Sequence, residues 1–218
     1  YGCIWTFLFL IGFSSFIIVG DYLVKNDTKI YSYKYKFLLD LPSYINLPIL
    51  LSFVVFSITC LSNYDSEFIV SLYWNFFQID FLYIKNTILF IDKISLVILS
   101  SLFIGIMGTV PAHELTHRKN NSFDMIIGNW LLAFSWDCAF AIEHVYGHHK
   151  NVGLPGDPAT AKRGEGLYGF IFRATIKEHR DAWVLESSRL LRRGHGIFSL
   201  KNKMLKGYLM SLILSSIM

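Results

Sequence analysis

Apolar and polar positions fall into long blocks along this chain, with no strand-like alternation between them. Cys3 to Gly20, Ile45 to Leu61 and Ile94 to Val110 each run without a single charged residue. A helix needs about 20 mainly apolar residues to cross the ~30 Å hydrocarbon layer, so each block predicts a transmembrane helix. Pro48 lies near the predicted start of the second, where proline is tolerated. Phe68 to Ile84 is aromatic but carries Trp, Tyr, Asn, Gln and Asp, which suits a wet, partly helical connector at the interface. Met125 to Ile142 is apolar but interrupted by Asn129 and Asp137, and predicts an interfacial or re-entrant segment. From Asp157 to Gly194 the pattern becomes polar and basic. "DPATAKRGEGLYG" reads as a turn-rich loop. After it, Ile171, Ala174, Ile176, Trp183, Leu185, Leu190 and Leu191 form a broken stripe that predicts an amphipathic helix on the inner membrane surface. Gly194 would end that helix, after Arg192 and Arg193 at the negative end of its dipole. A further span starts at about residue 205 and runs to 218. The expected fold is an all-α integral membrane protein, a transmembrane helix bundle forming one domain that is incomplete in this chain.

Composition agrees. Of 218 residues, 53% are hydrophobic and only 17% charged, against about 25% charged in soluble proteins. Lysine and arginine orient the spans. Lys25, Lys29, Lys34 and Lys36 follow the first span, only Lys85 and Lys93 separate the second from the third, and 14 of the 20 basic residues lie beyond His113. The positive-inside rule then puts the first loop and the C-terminal half in the cytoplasm. Cys3, Cys60 and Cys138 lack metal-site spacing and read as small core residues. The chain opens on Tyr1 and its last apolar run has only begun at Met218. It therefore reads as an internal fragment; a natural end with a short anchor is the competing reading.

Candidate chemistry is concentrated in two clusters. "PAHELTHRKN" places His113 and His117 four apart, one helical turn and about 6 Å from each other. "EHVYGHHKN" places His144 and His148 at the same spacing, with His149 adjacent. Five of the seven histidines thus fall between His113 and His149, which single interfacial histidines do not explain. The 26 residues between His117 and His144 would span about 39 Å as one helix. One crossing would separate the clusters and two do not fit, so the connecting segment must lie along the interface or dip in and return. Catalytic zinc needs three protein ligands. Five histidines exceed that, and adjacent His148 and His149 on a regular helix point apart, which suggests two ions. Imidazole alone does not choose the metal. Glu114 and Glu143 could orient imidazoles, ligate directly or, for Glu114, serve as a protease base.

"HELTHRKN" and "EHVYGHHKNV" resemble the first two histidine boxes of the membrane-bound di-iron alkane hydroxylase and xylene monooxygenase family, within the integral-membrane fatty acid desaturases and hydroxylases. The resemblance continues through "WLLAFSWDCAFAIEHVYGHH", "GDPATAKRGEGLYGF" and "AWVLESSRLLRRG", covering roughly Leu96 to Gly194. It implies that His113, His117, His144, His148 and His149 ligate two non-haem irons. It also implies an O2-dependent monooxygenase hydroxylating an alkane or an alkyl side chain of an aromatic, since an unactivated C–H bond demands a redox metal. Two electrons would come from a rubredoxin- or ferredoxin-type donor or an iron–sulfur flavoprotein reductase. The implied location is the bacterial inner membrane, with the site facing the cytoplasm. Besides donor and apolar substrate, membrane lipid is the expected partner of the basic segment Lys150 to Lys206; nucleic acid is not. The family's third histidine box and an additional histidine motif are absent, so the fragment alone is expected to be inactive. His179 and His195 lack that spacing and read as surface residues. Other readings remain: a fatty acid desaturase or lipid hydroxylase of the same superfamily, a membrane zinc protease using His113, Glu114 and His117, or a metal transporter.

Overall fold

The structure, a computed structural model, describes residues 4–24, 34–63 and 65–217. Cys3, Lys25, Lys29 and Met218 lie outside them. Every regular element among the described residues is helical. Three helices are long and apolar enough to cross a membrane: Trp5–Leu23, Phe37–Leu61 and Phe90–His117. The protein is an all-α integral membrane protein.

Packing divides the chain into two compact units, one through Phe103 and one from Ile104. The first contains α1 (Trp5–Leu23), α2 (Lys36–Leu61), α3 (Glu67–Phe77), α4 (Phe81–Thr87) and α5 (Phe90–Phe103). Helix α1 buries none of its residues, and Phe16 is 75% exposed, as befits a helix whose solvent is lipid. Rings join the spans: Phe103 meets Phe13 and Phe53 edge-on, at centroid distances of 5.4 and 4.9 Å. The connector is two short helices held by Cys60, Tyr73, Phe81 and Leu96. The Tyr73 hydroxyl also donates to the Ser52 carbonyl at 3.1 Å.

Helix α2 begins nine residues before its predicted start, so Pro48 sits inside it together with Pro42. The third helix also starts early and takes in Asp92 and Lys93. Asp92 is 1% exposed and its carboxylate caps two helices. It accepts from the backbone N–H groups of Ile4 (2.7 Å), Thr6 (3.1 Å) and Phe7 (3.2 Å) at the start of α1. It also accepts from Leu89 N–H, 3.3 Å away, just before its own helix. Helix N-termini leave such donors without partners and favour negative charge.

The second unit holds a π-helical turn (Ile104–Thr109) leading into α6 (Val110–His117), then α7 (Ser122–Ala133), α8 (Phe140–Glu143), a second π-turn (His144–His148), α9 (His149–Asn151), α10 (Leu167–Arg192) and α11 (Lys203–Ile217). Met125 to Ile142 is therefore a 12-residue helix, a turn and a short helix. Its helix rises only about 18 Å. Helix α7 lies close on α6 because position 128 is glycine: a Cβ there would come within 3.1 Å of Thr116 Cγ2 and 3.2 Å of Leu115 Cβ.

Helix α10 starts at Leu167, four residues before the first residue of the expected apolar stripe. Its buried residues, Ala174, Ala182, Glu186 and Leu190, follow a spacing of four or eight and form one face. Trp183 and Leu185 pack against the core, whereas Ile171, Ile176 and Leu191 are exposed. Four residues of the expected stripe, Ala174, Trp183, Leu185 and Leu190, thus pack inward, joined by Ala182 and Glu186, where α10 meets α8 and α11. Buried Glu186 receives both arms of Arg189, each at 2.6 Å, and the Lys203 N–H at 2.6 Å. Gly194, at φ 69°, closes the helix. Its N–H reaches the Leu191 carbonyl (3.0 Å) and the His195 N–H reaches Leu190 (2.9 Å), a Schellman ending.

The Asp92 caps yield a prediction. Asp92→Ala strands four partly buried backbone donors and lowers stability in detergent by about 1–3 kcal/mol. Asp92→Asn, which keeps one acceptor oxygen, costs less. Equal melting temperatures for the two variants would contradict this account.

Candidate metal centre

Pro111 lies one residue into α6, and the preceding turn is π-helical. A proline ring crowds the carbonyl four residues earlier; widening the turn relieves that contact, and the helix continues intact to His117. His113 and His117 therefore keep a regular one-turn spacing, their Nε2 atoms 3.1 Å apart.

The second cluster differs from the sequence expectation. His144–His148 is itself a π-turn, in which hydrogen bonds close from i to i+5 and residues five apart come into phase. The partner of His144 is accordingly His149, at 3.0 Å between Nε2 atoms. His148 is turned away, its ring stacked near-parallel to His144 with centroids 5.3 Å apart. Across the unit, His113 Nε2 lies 2.8 Å from His144 Nε2. Four histidines, His113, His117, His144 and His149, thus bring ligand atoms within 4.8 Å of one another. His148 is outside that group.

Three nitrogen–nitrogen contacts of 2.8, 3.0 and 3.1 Å cannot all be lone pair against lone pair; a proton or a cation must lie between them. With metal–nitrogen bonds of about 2.1 Å, neighbouring ligands of one ion stand roughly 3.0–3.4 Å apart. The histidines fit an ion. Burial, then the facing His113 and the other rings, push His144 down to about 4, so at neutral pH it is an uncharged imidazole with a lone pair to give.

His148 is held by a residue that the sequence reading passed over. Its Nδ1 lies 3.0 and 2.9 Å from the two carboxylate oxygens of Asp157. Burial opposes the charge on Asp157, but hydrogen bonds from Thr160, His148 and the Ala159 N–H hold its carboxyl below the usual range. A carboxylate only accepts, so the ring donates through Nδ1 and its Nε2 carries the lone pair. Asp157 itself is 2% exposed and sits in an Asx-turn, with Ala159 N–H 3.0 Å from its Oδ1. Helix α10 ties that loop down. Arg173 grips Glu165 with two bonds (2.6 and 2.7 Å) and donates to the carbonyls of Pro158 and Thr160, both at 3.0 Å. The sequence signal was present in "DPAT", since Asp before a proline favours this turn; it was read only as a loop.

The two glutamates part company. Glu114 is exposed and pairs with Arg118 at 3.3 Å, outside the cluster. Glu143 is buried, and burial, with Glu178 and Asp157 nearby, raises it to about 7. Gly147 faces it: a Cβ at that position would overlap the Glu143 carboxylate. His179 and His195 stand apart, bonded respectively to the Thr175 carbonyl (2.9 Å) and Lys201 (3.0 Å).

Residues 94–217 match the fatty acid desaturase family. The chain belongs to that family. Among relatives, this desaturase-family chain is 38% identical over 110 residues to alkane 1-monooxygenase 1 of Pseudomonas aeruginosa, across 50% of its own length and 28% of the relative's. It is 39% identical over 106 residues to alkane 1-monooxygenase of Pseudomonas putida, across 49% and 26%. To the xylene/toluene monooxygenase hydroxylase component XylM of Pseudomonas putida it is 34% identical over 107 residues, across 49% and 29%. The matched part spans little more than a quarter of these relatives.

Two outcomes follow from the geometry. His144 titrates near 6.5 unfolded and at about 4 folded, so between these values the unfolded chain binds more protons. The metal-free protein therefore loses stability as pH falls from 6.5 to about 4, and His144→Asn flattens that part of the profile; identical profiles would refute it. Asp157→Asn, which cannot fix the His148 tautomer, lowers metal affinity about 10–100-fold, measured by competition with a chelator.

Proposed function

We propose that this chain carries part of the metal centre of a membrane-bound non-haem di-iron monooxygenase, which hydroxylates an alkane or the alkyl side chain of an aromatic. The observation that carries the reading is the convergence of His113, His117, His144 and His149 Nε2 atoms at the end of an apolar helix. The run before His113, Ile94 to Val110, holds no charged residue, as a segment in the hydrocarbon layer requires. A substrate dissolved in the bilayer would reach such a site without crossing water.

The four converging imidazoles would hold one iron, and His148, directed differently by Asp157, would contribute its Nε2 to a second. Bound iron would supply the redox chemistry by which one atom of O2 enters the substrate and the other leaves as water. The protein's own part is to keep the imidazoles neutral, as the low value of His144 does, and to fix each ring by its other nitrogen, as Asp157 does for His148. Glu143, raised to about 7, would carry its proton in the neutral range and leave the adjacent imidazoles less burdened by negative charge. Two electrons would come from a rubredoxin- or ferredoxin-type donor or an iron–sulfur flavoprotein reductase. The basic excess beyond His113 supports a site on the cytoplasmic face of a bacterial inner membrane.

Desaturation or hydroxylation of a lipid acyl chain is the second reading, favoured by the family that the chain matches. A protease is disfavoured because Glu114, the base that the HExxH reading requires, is exposed and engaged with Arg118. The deciding experiment measures metal in the full natural chain, purified in detergent and loaded anaerobically with iron. Two irons per chain, with His113→Ala and His148→Ala each reducing the content, and hydroxylation of a medium-chain alkane given donor and O2, are expected. One zinc per chain, retained in His148→Ala and lost in His113→Ala, would overturn the assignment.

A further inference from the structure

Within the second unit lies a cavity of about 330 Å³ between α7, α8 and α11. None of the five candidate histidines lines it. Its floor is apolar, with Met125, Ile126, Ile142 and Met210. Gly207 closes one wall, because α11 lies so near Cys138 that a Cβ on the glycine would overlap the Cys138 side chain. The polar residues of the lining include three lysines, Lys119, Lys203 and Lys206, and no acidic side chain.

The positions of these lysines run against local preference. Asn202 caps α11, accepting from the Leu205 N–H at 3.1 Å, so Lys203 and Lys206 occupy the helix's first turn. That end carries the positive pole of the helix dipole and favours acidic residues. They are also three apart, hence neighbours on one face, where like charges repel. Lys119 arrives from the loop after α6, its ammonium 4.2 Å from the centre of the Tyr146 ring. Burial, and Arg189 beside it, push the Lys203 ammonium below its ordinary value. A local conflict of this kind marks functional positions more often than structural ones. Adjacent Arg118 shows the contrast, since it faces Glu114 and Asp124 at 3.3 and 3.5 Å.

We propose that this cavity binds an anionic phospholipid, its phosphate held by Lys119, Lys203 and Lys206 and one acyl chain lying over Met125, Ile126, Ile142 and Met210. Three cations around one mouth complement a headgroup phosphate better than a single carboxylate, and the bilayer that surrounds the spans supplies the lipid. Glu186 of α10 accepts from the Lys203 N–H at 2.6 Å but is itself paired with Arg189; the bound lipid would answer the lysine charge that remains and fix α11 to α7 and α8. This site is independent of the metal assignment.

The test uses the full natural chain in nanodiscs of phosphatidylcholine containing a minor share of phosphatidylglycerol. Native mass spectrometry reads the lipid retained on release. Wild type is expected to retain phosphatidylglycerol selectively. Retention falls at least about tenfold in the Lys203→Gln/Lys206→Gln double variant, since each basic residue near an anionic surface is worth roughly 1 kcal/mol. Lys177→Gln, on exposed α10 surface, leaves it unchanged. Ile126→Trp, which fills the floor without touching charge, also reduces it. Equal retention in all variants, no preference over phosphatidylcholine, or displacement by oleate at equimolar lipid would overturn the proposal.

Discussion

Imidazole nitrogens resist being brought together, and the second unit of this protein is organised around doing so. Four Nε2 atoms face one another, the nearest pair 2.8 Å apart, an arrangement that repels itself unless something positive sits among the nitrogens. The surrounding structure supplies what the convergence requires. Pro111 forces the wide turn that delivers α6, Gly128 lets α7 lie against it, and the second π-turn brings His149 beneath His144. Burial keeps His144 uncharged at neutral pH, its lone pair free for a cation.

The remaining histidine is governed by a separate chain of contacts. Arg173 fixes Glu165 and two loop carbonyls, the loop fixes Asp157, and Asp157 fixes the His148 ring. Each link is a charge-assisted or backbone hydrogen bond, the kind that defines direction as well as proximity. A helix without any candidate ligand thereby sets the orientation of one 25 residues earlier in the chain. Relatives named as alkane and xylene monooxygenases give this architecture a chemical context, although the matched region is only a quarter or so of their length.

Much of this was legible in the residues. Long uncharged blocks announced the three apolar helices, because nothing else in a protein of this size needs them. The histidine pairs announced a shared site because their density exceeds what interfacial packing explains, and four of the five rings do converge. What the sequence could not disclose was phase. Counting in fours joins His144 to His148, and only the π-turn shows that the count is five. The face of α10 was legible in part: Ala174, Trp183, Leu185 and Leu190 of the stripe pack inward, Ile171, Ile176 and Leu191 are exposed, and Ala182 and Glu186, which a search for apolar bulk passes over, are buried. Asp92 escaped notice because its partners are backbone groups more than 80 residues away, and backbone donors leave no mark in a sequence. Asp157 did leave one, in its proline and its threonine, but that mark speaks of a turn and says nothing about the ring the turn will hold.

The π-turn also bears on how such a chain can change over generations. An α-helix and a π-turn differ by one residue accommodated within the same helical path, so the pairing of His144 with His149 is encoded in the number of residues between them rather than in their kind. Substitutions at Val145 or Tyr146 preserve that number. Loss of a single residue there would return the segment to α-helical winding and keep the two rings in phase, now four apart. What would be lost is the widened turn itself, in which Gly147 faces the Glu143 carboxylate. The ring pairing therefore survives a change of winding, and the position in the turn that admits no exchange is Gly147, where any side chain would meet the Glu143 carboxylate.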